Sequence, residues 1–218
     1  ERCYPRVLLQ VMLAYCALSG CTAASTQLFV LIFSFPTSDG GFGFGPGQLG
    51  LLQNCAAIGL MLTQCLVFPF LTKRFGFFKT FGVGWALYVV SWGLVPVYGL
   101  MADPKFGNLR YIPIGAMMFF CAAGTGMCYP TAFAFINRAS AGLEKGKVNG
   151  LANSCGALCR GVFPPVAAAF LGLTAPTGMV DGKYLAVHVN LFLGTAAMLL
   201  AAPGLRAANS MSAGKPMQ

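Results

Sequence analysis

Acidic residues are scarce in this 218-residue chain: five Asp and Glu and a single histidine stand against fourteen Lys and Arg. The five carboxylates, Glu1, Asp39, Asp103, Glu144 and Asp181, fall at the N-terminus or in expected loops, so no paired-acid site can be built within an apolar core. Nor is there a nucleophile–base pair, and enzyme activity is not expected. Charge of either sign totals only 9% of residues, against about 25% in ordinary soluble domains. A soluble fold could not cover its surface with so few. The nine cysteines include no C-x-x-C pair and no His/Cys cluster at zinc spacing, which argues against a metal site and leaves them as small buried hydrophobes. No cofactor is expected.

What the chain has in abundance is apolar length. Hydrophobic residues make up 57% of it, and residues 7–38, 40–72, 80–102, 111–137 and 184–205 carry no charge at all. Each stretch exceeds the 18 or so residues needed to cross a bilayer. The pattern predicts an all-α integral membrane protein with six transmembrane helices, at about 7–35, 48–71, 80–100, 111–136, 148–173 and 184–205. These form one domain over 1–206, and 207–218 is a polar cytoplasmic tail. The first residue is Glu1 and the first apolar run is far too long for the h-region of a signal peptide. The chain therefore reads as a fragment, a processed product or the ordered part of something longer.

Basic residues sort by side. Arg2, Arg6, Lys73, Arg74, Lys79, Arg138, Lys145, Lys147, Arg206 and Lys215 fall on one face of the expected topology, and only Lys105, Arg110 and Lys183 on the other. Positive charge marks the cytoplasmic face, so both termini are expected there. The net charge of +9 does not imply nucleic acid, because the basic residues do not cluster with aromatic platforms. Two local signals mislead. Gly45-Pro-Gly-Gln-Leu-Gly50 matches G-x-G-x-x-G, but that motif needs a strand before it, and a tight extracytoplasmic hairpin is the expectation here. His188, near the outer end of the sixth segment, reads as an interfacial polar group.

The fifth segment organises the rest. Asn149, Asn153, Gly156, Arg160 and Pro164 recur every three or four residues and share a narrow arc of one helix. Arg160 falls about 18 Å along that helix, near the middle of a hydrocarbon core roughly 30 Å thick. An arginine at that depth costs on the order of 2.5–3.5 kcal/mol, so it should face protein or water. A polar stripe with a mid-depth charge lines a substrate path. The alternative is an arginine that snorkels to a headgroup or caps a neighbouring carbonyl. The candidate cavity residues are Arg160, Asn153, Asn149, Tyr129, Gln53 and Tyr15. Tyr15, Ser19, Thr22 and Thr26 give the first segment a mildly polar face of its own.

These features together resemble half of a major facilitator superfamily transporter. Gly40-Gly-Phe-Gly-Phe-Gly-Pro-Gly-Gln-Leu-Gly50 is similar to the loop before the eighth helix in the zinc-induced-facilitator-like and tetracycline-resistance-like branch. Phe68-Pro-Phe-Leu-Thr-Lys-Arg-Phe-Gly76 resembles that branch's cytoplasmic gating turn: Arg74 and Gly76 match, Lys73 takes the position of an acid, and Phe77 and Phe78 stand where the family has two basic residues. Lys147-Val-Asn-Gly150 with Ser154, Arg160 and Pro164 looks like the eleventh helix. The resemblance implies a C-terminal six-helix half-bundle of a secondary transporter that moves a small organic solute by alternating access. Implied partners are membrane lipid, an N-terminal six-helix half or second protein subunit, and a small-molecule substrate, but no nucleic acid. The rival expectation is a transport-inactive six-helix subunit of a larger membrane complex, which the degenerate turn and the absence of buried acids would allow.

Overall fold

A computed structural model describes residues 5–36, 41–100, 104–141, 143–174 and 180–211. Arg2, Asp39, Asp103 and Lys215 lie outside the described residues, as do the side chains of Asp181 and Lys183. Among the described residues every regular element is helical: α1 Pro5–Ser34, α2 Pro46–Leu62, α3 Phe68–Gly93, α4 Val95–Gly99, α5 Tyr111–Ala139, α6 Lys145–Thr174 and α7 Val180–Ser210. A π turn, Thr63–Val67, joins α2 to α3, and a 3-10 turn, Pro104–Arg110, leads into α5. Five helical runs are long and apolar enough to cross a membrane: Pro5–Ser34, Pro46–Gly99, Lys105–Ala139, Lys145–Leu173 and Tyr184–Ser210. The architecture is that of an α-helical membrane protein.

Boundaries depart from expectation for local reasons. α2 starts at Pro46 rather than Gln48, because proline at the first helical position has its φ already set and needs no N–H partner there. Gln48 folds back so that its Oε1 accepts from the Gly45 N–H at 2.7 Å, while its Nε2 donates to the Tyr111 hydroxyl at 2.7 Å. The glycine-rich match is thus a helix start, with no strand before it. The expected basic turn between 71 and 80 contains a break at Gly76, whose φ of 78° and ψ of 168° are not helical and separate two helical stretches within Phe68–Gly93. Thr80 Oγ1 donates to the freed Gly76 carbonyl at 2.8 Å. α3 ends at Gly93, ahead of the expected Leu100, and a short separate helix beginning at Val95-Pro96 follows. α7 continues to Ser210, past the expected start of the tail at 207.

Packing is centred on α1 and α5. In the most apolar 18-residue windows of these two spans 56% of residues are buried, against 11% in the corresponding windows of Pro46–Gly99 and Lys145–Leu173, although the α3 part of the former buries Phe81, Trp85, Tyr88 and Trp92. α1 packs on α6, α7 and α5, and α5 packs on α2 and α3. The α3–α5 contact is a backbone-to-backbone crossing: a Cβ at Gly124 would lie 2.6 Å from the Gly84 carbonyl and 2.9 Å from the Tyr88 nitrogen. Small residues let membrane helices approach this closely, and dispersion then does the work that water exclusion does in soluble proteins.

The loop before α2 turns inward. Phe42 and Phe44 are buried beside Phe33, with ring centroids 4.2 Å apart for Phe33–Phe42 and 5.7 Å for Phe42–Phe44. Glycine alternates with phenylalanine here because Gly43 has a φ of 63° and a side chain at Gly41 would overlap the Phe35 carbonyl. At the α3–α5 crossing, Gly124→Val should force α3 off α5 and lower stability by about 1–3 kcal/mol. Thermal unfolding of the protein in detergent measures this, and a midpoint equal to wild type would refute the crossing.

Candidate functional site

α1 carries hydroxyls along two adjacent faces, and each reaches a different helix. Tyr15 donates to Asn153 Oδ1 of α6 at 3.1 Å. Ser19 Oγ accepts from Arg160 Nη1 at 3.4 Å, at the long limit for such a bond. Thr22 Oγ1 donates to the Leu18 carbonyl at 2.8 Å, which leaves its lone pair to the Tyr129 hydroxyl of α5 at 2.6 Å. Thr26 satisfies its proton on the Thr22 carbonyl at 2.9 Å. This back-bonding to the preceding turn is how threonine is carried in an apolar helix without an orphaned donor.

Arg160 sits midway along α6 and its side chain is exposed on the surface of the bundle. The guanidinium is within electrostatic reach of the Tyr15 and Tyr129 hydroxyls. The Tyr15 and Tyr129 rings stand edge to face, with centroids 6.2 Å apart. α6 can approach α1 this closely because Gly156 lies against it: a Cβ there would be 2.6 Å from the Tyr15 ring. The result is an Arg–Tyr–Tyr–Asn group assembled from α1, α5 and α6. Its donors for a hydrogen-bond acceptor or an anionic group are the guanidinium N–H groups of Arg160 and the amide Nδ2 of Asn153, since the tyrosine hydroxyls donate to Asn153 and Thr22.

Of the six residues expected in a cavity, Arg160, Asn153, Tyr15 and Tyr129 come together. Asn149 does not join them. It lies about 16 Å down α6 from Arg160, with its Nδ2 donating to Asn137 Oδ1 at the end of α5 at 3.0 Å. Gln53 lines a cavity of about 150 Å³ that Thr22 and Tyr129 also border, whereas Arg160, Asn153 and Tyr15 do not line it. Thr22, Thr26, Gln53, Thr125 and Tyr129 give this cavity its polar atoms, and Phe29, Trp92 and Met118 its apolar wall.

The expected gating turn is at the Gly76 break. Lys73 and Arg74 are exposed there, with the Arg74 guanidinium 5.7 Å from the Phe75 ring. The two phenylalanines that stand in place of basic residues receive cations instead. Arg138 of α5 stacks on Phe77 at 4.5 Å and Arg206 of α7 on Phe78 at 5.4 Å. Such contacts contribute about 0.5–2 kcal/mol each. His188 is exposed, and its Nδ1 meets the Tyr184 carbonyl one turn back at 2.7 Å.

Sequence reasoning missed a buried polar knot. Tyr88 of α3 donates to Ser25 Oγ at 2.7 Å, and Asn190 Nδ2 of α7 donates to the same oxygen at 2.9 Å and to the Cys21 carbonyl at 3.1 Å. All three side chains are buried. Asn190 was the available signal: an amide inside an apolar run needs partners on another helix.

No protein-family model matches the chain, and no solved structure matches it. A curated relative is the major facilitator superfamily multidrug transporter mfsB of Aspergillus fumigatus, 26% identical over 162 residues that cover 74% of this chain and 25% of the relative. The chain is similar to a membrane transporter. It spans about a quarter of that relative's length. The relative belongs to a transporting rather than a catalytic class, in line with the absence of a nucleophile–base pair in this sequence. Asn190→Leu should remove the two amide bonds of the knot, to the Cys21 carbonyl and to Ser25 Oγ, and leave Tyr88 alone to hold it, costing about 1–3 kcal/mol. Asn149→Leu, at the helix ends, should cost less. Unfolding midpoints in the same detergent rank the two, and the reverse order would remove the knot as a structural anchor.

Proposed function

We propose that this chain is one six-helix half of a secondary transporter of the major facilitator type, the C-terminal half, moving a small organic solute by alternating access. The observation that carries the reading is Arg160. A permanently charged side chain at mid-helix, exposed on the bundle surface, would cost on the order of 2.5–3.5 kcal/mol if lipid covered it. A second protein wall or a water-filled path relieves that cost. In transporters built from two repeats, the substrate site lies at such an interface near the bilayer midplane. The similarity to a major facilitator transporter supports the same reading, and the gating-turn and loop motifs favour its zinc-induced-facilitator-like and tetracycline-resistance-like branch.

The six-crossing count follows from length. Pro46–Gly99 has 54 residues, which as one straight helix would extend roughly 80 Å. That exceeds the hydrocarbon thickness more than twice, so the break at Gly76 is read as a cytoplasmic turn between two crossings. Both termini then lie on the cytoplasmic side, with Lys73, Arg74 and Lys79 at the turn. In this arrangement Arg160, Tyr15, Tyr129 and Asn153 bind the solute's acceptor or anionic group. Gln53 borders the cavity beyond them. Lys73, Arg74 and Gly76 form the hinge of the gate, pinned to α5 and α7 through Phe77 and Phe78.

Arg160→Cys in the full-length protein, embedded in membrane vesicles, tests this without knowledge of the substrate. Reaction of the introduced thiol with a membrane-impermeant maleimide, mapped by peptide mass, is the expected result. No reaction there, with a loop cysteine labelled normally, would mean that lipid or sealed protein covers the position. Arg160→Ala should abolish or redirect solute uptake while membrane insertion stays intact. Labelling of the Arg160→Cys variant combined with unaltered transport by Arg160→Ala would keep the path and remove Arg160 from the mechanism. A transport-inactive subunit would instead show the introduced thiol shielded by its partner in the native membrane and labelled once that partner is stripped away.

A further inference from the structure

Among the described residues, the cavity of about 150 Å³ is walled by α1, α2, α3 and α5 and by none from α6 or α7. Three of its hydroxyls already use their protons inside the protein. Thr26 donates to the Thr22 carbonyl at 2.9 Å, and Thr125 donates to the Ala122 carbonyl at 3.0 Å. Tyr129 donates to Thr22 Oγ1 at 2.6 Å, since the Thr22 proton is committed to the Leu18 carbonyl. What these three groups offer a ligand is lone pairs. Gln53 enters from α2, half-buried, and its amide has no hydrogen-bond partner among the described residues, so both its carbonyl and its N–H groups are available. The apolar wall is aromatic: Phe29, Tyr88 and Trp92 line it, each no more than 2% exposed. No charged side chain lines the cavity among the described residues.

We propose that this cavity binds an uncharged hydrogen-bond donor, a primary carboxamide carried on a single apolar ring, held by the Gln53 amide and the hydroxyl oxygens of Thr26, Thr125 and Tyr129.

Size, polarity and charge each narrow the class. A cavity of about 150 Å³ admits one benzene-sized ring. A carboxamide pairs head to head with the Gln53 amide, each N–H meeting the other's carbonyl, and its second N–H is left for a hydroxyl oxygen. An ester or ketone of the same shape brings only acceptors to a wall rich in lone pairs, and those lone pairs stay unmatched. An organic cation would supply donors too, but no carboxylate lines the cavity to balance it, and Arg160 stands within electrostatic reach of Tyr129. An ion taken out of water here carries a desolvation cost that a neutral amide avoids. Tyr129 belongs both to this cavity and to the Arg160 group. The inference rests on the transport reading in taking the occupant for the solute, and it narrows that solute to an uncharged one.

The probes are benzamide, benzamidinium and benzoate, molecules of one shape that are neutral, cationic and anionic at neutral pH. Each is measured by equilibrium dialysis against the full-length protein in detergent, with micelles alone as the blank. Benzamide should bind saturably with a Kd on the order of 1 mM or below, and both ions at least about tenfold more weakly. Gln53→Leu should weaken benzamide about tenfold, and the nearly isosteric Thr125→Val should weaken it to a smaller extent. Either ion bound as tightly as benzamide would overturn the charge class. Equal affinity in wild type and both variants would put the ligand elsewhere and overturn the site. No saturable binding above the micelle blank would end the proposal outright. Should Gln53→Leu fail to fold, Thr125→Val and the three isosteres decide it. A labelled Arg160→Cys with no benzamide bound leaves the transport reading standing without this site. Benzamide bound while Arg160→Cys stays unlabelled keeps the carboxamide site and removes the transport path.

Discussion

Hydrocarbon offers no hydrogen-bond partners, so each polar side chain that a helix carries into it must find one within the protein. α1 brings Tyr15, Ser19, Thr22 and Ser25 into the bundle, and the positions of the other helices answer that need. Asn153 and Arg160 place α6 against it, Tyr129 places α5, and Tyr88 with Asn190 draws α3 and α7 onto one serine. Apolar packing alone would leave the rotation of these helices about their axes weakly specified, because Leu and Phe pack almost as well on lipid as on each other. The hydroxyls of α1 supply the missing orientation.

Close approach supplies the rest. Gly84 with Gly124 brings the α3 and α5 backbones together, and Gly156 lets α6 seat against the Tyr15 ring. The inward-turned Phe42 and Phe44 close one end of the bundle, and the pairs Arg138–Phe77 and Arg206–Phe78 tie down the opposite end. The two ends differ in kind. One is an apolar plug made by a loop folding on itself. The other is a set of cations from α5 and α7 lying on aromatic rings at the Gly76 break. A gate at that break would have to part cation–π contacts rather than salt bridges, and such contacts are less sensitive to salt.

On α6, Asn153 and Arg160 look toward the tyrosines of α1 and α5. Its exposed flank is apolar, with Leu151, Leu158 and Val166 at the surface.

The all-helical architecture and the presence of helices long and apolar enough to cross a membrane could be read from the linear order of residues. They depend on local quantities: runs of apolar side chains, the scarcity of charge and a period of three to four residues. Even the polar face of α1 was legible as Tyr15, Ser19, Thr22 and Thr26. Which polar residues meet was decided only by tertiary structure. Asn149 shares a stripe with Arg160 but lies too far along the axis to share a site. Asn190 and Tyr88 give no periodic signal and yet converge on Ser25. Periodicity describes one helix at a time, whereas a site is set by the rotation and crossing of several, and those depend on contacts between residues far apart in sequence.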